Sequence, residues 1–489
     1  MSDLHTNNLK KVLSCKKCNV ILISGLLLLS GCALVNPSHP PAPAALDMPL
    51  KWSVKDAVAT DKATSLKEWW LRFEDPLLAS LVERALQANT TVNSAKAALI
   101  EARALRDVYA ATLLPTVDSS VSARRSKTGS NRAINNFTAG LDASWELDIF
   151  GANRSGLSAS EAAAQASEAS LGDVQVSISA ELALDYIALR NAQARLAIAN
   201  SNLTSQLETL QITDWRMQAG LVSSLDVEQA RVSAEQTRAL IPPLRTSIEQ
   251  MSHAIAVLTG QPPASLLAEL LVFSQVPQAT NNLALNFPAE TLRQRPDVRA
   301  AEHRISAELA RLSQADAARL PNFTLSGSLG LNALALSSMT SGSSVISSLL
   351  ANVAMPLFDA GSRRAKVRAQ EAVLEQTRLA YKATVLTALQ EVEDTLVALR
   401  GDLERLSRLK LAAEASNNAA LMARQRYESG LIDFQAVLET QRSILNTQDS
   451  VASVSADVSA DYVRLYKALG GGWIASKINT AALLSENIK

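Results

Sequence analysis

The stretch 137–154, FTAGLDASWELDIFGANR, alternates without interruption for thirteen residues. Odd positions from Phe137 to Ile149 read Phe, Ala, Leu, Ala, Trp, Leu, Ile; the even ones read Thr, Gly, Asp, Ser, Glu, Asp. Period-two alternation of this kind describes a strand with one oily and one wet face. At Phe150-Gly151 the pattern stops and a long Ala-rich, helix-favouring stretch begins. That break decides how the rest of the chain is read.

Alternation recurs at 116–124, 322–332 and 345–357. In the third strand Phe323, Leu325, Leu329 and Leu331 interleave with Asn322, Thr324, Ser326, Ser328 and Gly330; in the fourth, Leu349, Ala351, Val353, Met355 and Leu357 share a face. These strands belong to an internal repeat. LLPTVDSSVSA (113–123) matches RLPNFTLSGSL (319–329), WELDIFGANR (145–154) matches VAMPLFDAGSRR (353–364), and MQAGLVSSLDVEQAR (217–231) matches YESGLIDFQAVLETQR (427–442). The pairs Pro115/Pro321, Phe150/Phe358 and Gly220/Gly430 stand at nearly constant separation, so the chain carries two copies of one unit, each longer than a solenoid repeat. Each copy reads helix, strand, strand, very long helix, Gly turn, helix.

The segments 157–219 and 362–429 lack Pro and hold one Gly each, Gly172 and Gly401. At 1.5 Å per residue such a segment makes a rod about 90 Å long, which must pack beside other rods rather than inside a globule. Pro242-Pro243 interrupts or kinks one of the shorter helices. Strands of about ten residues fit a transmembrane barrel, yet four cannot close one, and an open edge in lipid leaves backbone groups unpaired. Alternation alone fits a soluble, half-wet sheet equally well; the N-terminus and the rods favour the membrane.

At that N-terminus Lys10, Lys11, Lys16 and Lys17 precede VILISGLLLL (20–29), and LSGC ends at Cys32. A basic segment, a short apolar core and small residues before the cut describe a secretory signal, too short to span a bilayer. Leu29-Ser30-Gly31-Cys32 resembles a bacterial lipobox, which makes Cys32 the lipidated first mature residue. Ala33 follows rather than an inner-membrane-retaining Asp, which favours the outer membrane. CKKC (15–18) has redox or zinc spacing but lies in the leader and is discarded with it. Without residues 1–31 the chain holds 43 basic and 46 acidic residues, a balance that points to no nucleic-acid surface. The tether NPSHPPAPAALDMP (36–49) is Pro- and Ala-rich. The expected organisation is signal peptide 1–31, lipidated tether 32–66, repeat 67–285, and repeat plus C-terminal equatorial segment 286–489.

EWWLRFEDPLLASLVERALQAN (68–89), WELDIFGANR, AGLVSSLDVEQAR (219–231), LTGQPP (258–263), LRQRPDVRAAEHRI (292–305), PLFDAGSRR (356–364), YESGLIDFQAVLETQR and LYKALGGGW (465–473) follow in that order. Together they resemble the TolC-like outer-membrane factors, in particular the NodT-type lipoprotein branch that works with resistance-nodulation-division pumps. The resemblance covers nearly all of the mature chain. It implies an α+β membrane protein: a homotrimer with a 12-stranded transmembrane barrel, four strands per chain, continuing into a coiled-coil periplasmic tunnel girdled by a mixed equatorial region. The implied role is the passive outer-membrane exit duct of a tripartite efflux system. Its implied partners are a periplasmic adaptor, an inner-membrane pump and outer-membrane lipid, with no cofactor besides the lipid on Cys32.

The resemblance also assigns positions. Gly220, Leu221, Gly430 and Leu431 form the periplasmic tip turns and adaptor-docking points. Glu439 matches an acidic ring at the narrow tip; Asp433 and Gln435 stand beside it, and Ala436 occupies a position acidic in some members. Tyr427 and Asp226 match a latch between inner and outer coil, while Ile432 replaces the Arg that reinforces it in some relatives, which implies a differently built closure. Pro115, Phe150, Gly151, Pro321, Phe358 and Gly361 mark the barrel–tunnel junction. From alternation, Asp118, Asp142, Glu146 and Asp148 are expected on the lumen side; Arg124, Arg125, Lys127 and Arg132 fall in the loop on the extracellular side. His5, His39, His253 and His303 are isolated, no metal-spaced cluster occurs and no Gly-rich phosphate loop follows a strand, so no catalytic chemistry is expected. Two other readings use the same features: a duct for one-step protein secretion, and a periplasmic scaffold lipoprotein that conducts nothing.

Overall fold

The computed structural model describes Trp52 and residues 66–279 and 292–473. The expected signal peptide, Cys32 and nearly all of the tether lie outside the described residues. A 3-10 turn, Trp69–Phe73, leads into α1 (Pro76–Ala88) and α2 (Thr90–Ala111), then β1 (Thr116–Ser126), β2 (Ile134–Leu147) and α3 (Ala152–Gln218). Helices α4 (Ser224–Ala239), α5 (Ile241–Leu258) and the single turn α6 (Leu267–Leu270) close the first copy. The second copy runs α7 (Pro296–Ala317), β3 (Asn322–Ala333), β4 (Val345–Ala354), α8 (Ser362–Glu428) and α9 (Phe434–Ala468).

The strands form one antiparallel sheet in the order β1-β2-β3-β4, with both outer edges unpaired within the chain. Its odd-numbered face carries Val117, Val121, Leu141, Leu329, Leu349 and Val353, all exposed. Exposed apolar rows on a sheet are what a lipid-facing barrel wall presents. The even face sets Asp118 opposite Asp142, Asp142 opposite Ser328 and Ser328 opposite Ser348, a hydrated row across the sheet. At Gly330, opposite Gly140, a Cβ would lie 2.8 Å from the Ala139 carbonyl oxygen, so the two strands approach more closely than a side chain permits.

Both rods are continuous. Helices α3 and α8 contain 67 residues each, about 100 Å of helix. Each starts at a glycine in the left-handed region, Gly151 (φ 79°) and Gly361 (φ 84°), and each ends at the equivalent tip turn. The sheet and the tip turns therefore occupy opposite ends of the same rods. Pro242 and Pro243 fall in the first turn of α5, where no intrahelical N–H bond is required; they separate α4 from α5 instead of kinking either. No described helix is long and apolar enough to cross a membrane.

The main core lies between the rod ends and absorbs the motifs flanking the repeats. Trp69 is fully buried and stacks on Tyr466 of α9 at 5.4 Å, with Phe73 edge-on to the same ring. Asp75 caps α1 through Leu77 and Leu78 N–H, and its second oxygen accepts the Tyr186 hydroxyl at 2.8 Å. Arg190 donates to that hydroxyl, to Gln193 and to the Val272 carbonyl, pinning the segment after α6 to rod α3. Arg295 of the RPDV motif caps the end of α9 through the Ala468 carbonyl and pairs with Asp297 and Glu391. In LTGQPP, a Cβ at Gly260 would meet the Ala88 carbonyl oxygen at 2.6 Å, while Asn89 donates to Leu258 O and caps α2.

Several strand ends differ from the sequence expectation. Strand β1 runs on to Ser126 and β2 begins at Ile134, so Arg124 and Arg125 lie in the paired strand rather than in the loop. Strand β2 stops at Leu147, so Asp148 does not face the lumen. Its oxygens accept the Asn153 and Arg154 N–H groups and its side chain is nearly buried, which makes it the cap of α3. Asp359 does the same for α8 through Gly361 and Arg363, and these backbone N–H donors hold its carboxyl below the usual range. Strand β4 stops at Ala354, leaving Met355, Leu357 and Phe358 in the linker.

Candidate functional site

Each rod reverses through the same turn. Gly220 (φ 71°) and Gly430 (φ 73°) take the left-handed conformation. Leu221 N–H bonds the Arg216 carbonyl at 2.8 Å and Leu431 N–H bonds the Arg426 carbonyl at 2.9 Å, closing the six-to-one loop that ends many helices at glycine. Leu221 and Leu431 project from these turns and are among the most exposed aliphatic side chains outside the sheet. The returning helices are capped in register: Ser223 and Asp226 form a reciprocal capping box on α4, and Asp433 accepts Ala436 N–H on α9.

Between the two turns lies a small core of Ala230, Tyr427, Phe434, Val437 and Leu438, with Ile432 and Leu210 against it. Ile432, which replaces a latch arginine by resemblance, thus serves as packing. The expected Tyr427–Asp226 latch is not formed. Asp226 Oδ2 is occupied by the N–H and hydroxyl of Ser223, at 2.9 and 2.8 Å, and the buried Tyr427 hydroxyl has no hydrogen-bond partner. The link between the hairpins comes from Arg216 on α3. Its guanidinium lies over the Tyr427 ring at 4.4 Å and donates to the Tyr427 carbonyl at 3.0 Å. Sequence reading passed over Arg216, although the repeat marks it: Arg216 and Arg426 both stand four residues before the tip glycine.

Gln435 and Glu439 are exposed and one turn apart on α9, on the face turned from the tip core. Arg442 continues that face, so the acidic position is followed by a basic one. Further up, Arg195–Asp449 at 2.7 Å, Asn202–Gln448 at 2.9 Å and Gln441–Thr209 at 2.8 Å tie α9 to α3, and Arg424–Glu208 at 3.6 Å ties α8 to α3. On α3, burial and the neighbouring Glu181 push the Asp185 carboxyl up to about 6.

At the other end the junction residues divide. Phe150 packs on Phe323 with ring centres 6.2 Å apart, and both Phe150 and Pro321 line a cavity of about 440 Å³ with Glu146 and Arg363. Pro115 immediately precedes β1, and Gly151 and Gly361 start the rods. Phe358, the repeat partner of Phe150, is 91% exposed. No group of acidic, His or Cys residues with metal-holding geometry occurs among the described residues.

The family model described as outer membrane efflux protein matches residues 81–261 and 287–471. The chain belongs to the outer membrane efflux protein family. Nodulation protein T of Rhizobium leguminosarum bv. trifolii is 30% identical over 91% of this chain and 96% of its own. The toluene efflux pump outer membrane protein TtgF of Pseudomonas putida is 29% identical over 96% and 100%. The solved outer-membrane channel OprN superposes with a TM-score of 0.83 at 36% identity, covering 88% of this chain and 99% of that one. CusC, at 24% identity and a TM-score of 0.79, shares the fold. This outer membrane efflux protein is therefore the outer-membrane channel of a tripartite efflux system in a Gram-negative envelope. Its α+β fold is the TolC-like one, a trimeric barrel to which each chain gives four strands.

Proposed function

We propose that this efflux protein is a passive, tip-gated duct without a catalytic step, lipid-anchored through Cys32. In this reading a periplasmic adaptor seats on Leu221 and Leu431, an inner-membrane pump delivers the cargo, and the gate is the contact between the two hairpins of each chain. The cargo is small organic molecules, the class to which the toluene named for one relative belongs.

The observation that carries the reading is the incomplete sheet. Its oily face is exposed and its edges β1 and β4 are unpaired within the chain, a combination lipid tolerates only when further copies close the ring. The repeat supports a partner for each edge. Helix α7 packs on both rods α3 and α8, whereas α2, its counterpart, packs chiefly on α3 and leaves Ile100, Leu105 and Val108 exposed. A second copy's α8 fills the missing place. Phe358 likewise awaits the β1 equivalent of Phe323, which is Val117. Burying these side chains contributes about 1.5–3 kcal/mol each.

The decisive experiment reconstitutes the full-length protein in planar bilayers. A heat-modifiable trimer that conducts once the Arg216 contact is removed supports a gated duct. A trimer that never conducts returns the scaffold reading.

A further inference from the structure

The β1–β2 hairpin carries charge of one sign. Between Asp118 and Asp142 the chain holds no acidic residue, yet it holds Arg124, Arg125, Lys127 and Arg132. The register sets Arg124 opposite Asn136 and Arg125 opposite Asn135, so the neighbours across the ladder are neutral amides. All four basic side chains are exposed, and among the described residues none has an ion-pair partner. Keeping a hairpin wet does not require this charge. The β3–β4 hairpin of the second copy, residues 329–348, has no charged residue and is hydrated by Ser, Thr and Asn alone.

Arg132 falls in the loop between the strands, and position along the wall separates the other three. The outward row of β1 is odd-numbered: Val117 and Val121 are 65% and 84% exposed, and Arg125 continues the same parity, with Lys127 just beyond the strand. Arg124 has the opposite parity and shares the lumen row with Asp118. At the periplasmic end Trp145 donates its indole N–H to the Leu113 carbonyl at 3.0 Å, next to Ser144, which pairs with Thr116. A tryptophan with a polar tie suits a membrane interface. From Thr116 to Arg125 the strand rises about 30 Å, or about 23 Å along the membrane normal at a tilt of about 40°. The apolar band of such barrels is about 25 Å tall. Arg125 and Lys127 therefore stand at headgroup level in the outer leaflet, directly above the oily row.

We infer that Arg125 and Lys127 form a phosphate-binding site for the phosphorylated glycolipid of the outer leaflet, repeated once per subunit around the barrel. An arginine fork takes two phosphate oxygens and the lysine supplies a second cation, while acyl chains lie along Val121 and Phe137. Arg124, facing the lumen, takes no part. The inference rests on the barrel reading, and the trimer assay below tests that reading separately.

The test uses full-length trimer purified from outer membranes. Lipopolysaccharide retained per trimer after detergent washing is measured by native mass spectrometry, with heat-modifiable migration as the check on folding. Arg125→Gln/Lys127→Gln is expected to remain trimeric and retain at least fivefold less glycolipid; Arg124→Gln is expected to match wild type. In phosphatidylcholine vesicles, bis-phosphorylated lipid A is expected to raise the melting midpoint of wild type but not of the double variant, whereas dephosphorylated lipid A and millimolar inorganic phosphate leave it unchanged. Equal retention by the double variant, equal loss in Arg124→Gln, or stabilisation by phosphate-free lipid A overturns the proposal. Loss of trimers in wild-type protein would instead overturn the barrel.

Discussion

Arg216 lies over the ring of Tyr427, 4.4 Å from its centroid, and donates to the Tyr427 carbonyl at 3.0 Å. One residue of the first hairpin thus holds both the side chain and the backbone of the second at the tip. The contact is part-buried and incomplete, since the buried Arg216 Nε and Tyr427 hydroxyl have no partner. Buried unpaired polar groups cost about 1–3 kcal/mol each, so the contact is held against a penalty that separation of the hairpins relieves. Arg216→Gln is expected to raise closed-state conductance several-fold, and Arg216→Lys to give an intermediate value because it keeps the charge but not the planar fork.

Asp226 provides the contrasting case. Its carboxylate is held by Ser223, so Asp226→Asn is expected to weaken the α4 cap by about 1 kcal/mol while leaving conductance near wild type. Single-channel recordings of Asp226→Asn and Arg216→Gln side by side check both. An Asp226 variant that opens while the Arg216 variant stays closed would restore the latch implied by resemblance.

The strands were legible because lipid and water impose opposite demands on alternate residues. The rods were legible because Pro is missing over long stretches. The tip contact was not. Arg216 and Tyr427 are 211 residues apart, and neither carries a local pattern that names the other. Asp148 was misplaced for the opposite reason: it fits the alternation, but the N–H groups of a new helix compete for the carboxylate, and the strand ends at Leu147, two residues short of Ile149. The role of Gly172 could not be read either, since a Cβ there would collide with the Trp473 indole, a neighbour about 300 residues away in sequence.

Subunit closure makes its own prediction. Ile100→Asp places a charge where α2 awaits a neighbouring rod, and in the isolated chain Ile100 is 69% exposed, so the chain's own fold does not suffer. Burying an unpaired carboxylate at the interface is costly enough to block assembly. The expected outcome is loss of the heat-modifiable trimer on gels with helix content retained by circular dichroism. A trimer of unchanged stability would move the interface away from α2.

The equator contains a pH-sensitive group. The Asp185 carboxyl, raised to about 6 by burial and then by Glu181, holds its proton more tightly folded than unfolded. Its burial therefore costs stability above pH 6, and that cost disappears as pH falls from 6 towards 4, where only the folded state is protonated. Partial exposure screens the effect, so a shift of a few degrees is expected. Melting midpoints at pH 7 and pH 5 check it: Asp185→Asn is expected to stabilise at pH 7 and to lose about half of that advantage at pH 5. Other titrating groups cancel in the comparison between variant and wild type.

The strongest single effect is expected at Arg190. Its guanidinium is 2% exposed and donates to Gln193 Oε1 at 2.7 Å, Val272 O at 2.6 Å and the Tyr186 hydroxyl at 3.0 Å. The Tyr186 hydroxyl in turn donates to Asp75, the cap of α1. Arg190→Met fills similar volume but leaves the Val272 carbonyl and the Gln193 oxygen unpaired, a loss of about 2–3 kcal/mol from hydrogen bonds to a charged donor. The lesion is local to the equator, so rods and sheet should form while residues 267–273 detach from α3. Amide exchange is the discriminating measurement: protection is expected to fall in that segment and at the start of α1, and to hold at the tip and in the strands. Uniform loss of protection would mean that Arg190 supports the whole fold rather than the attachment of the equatorial segment.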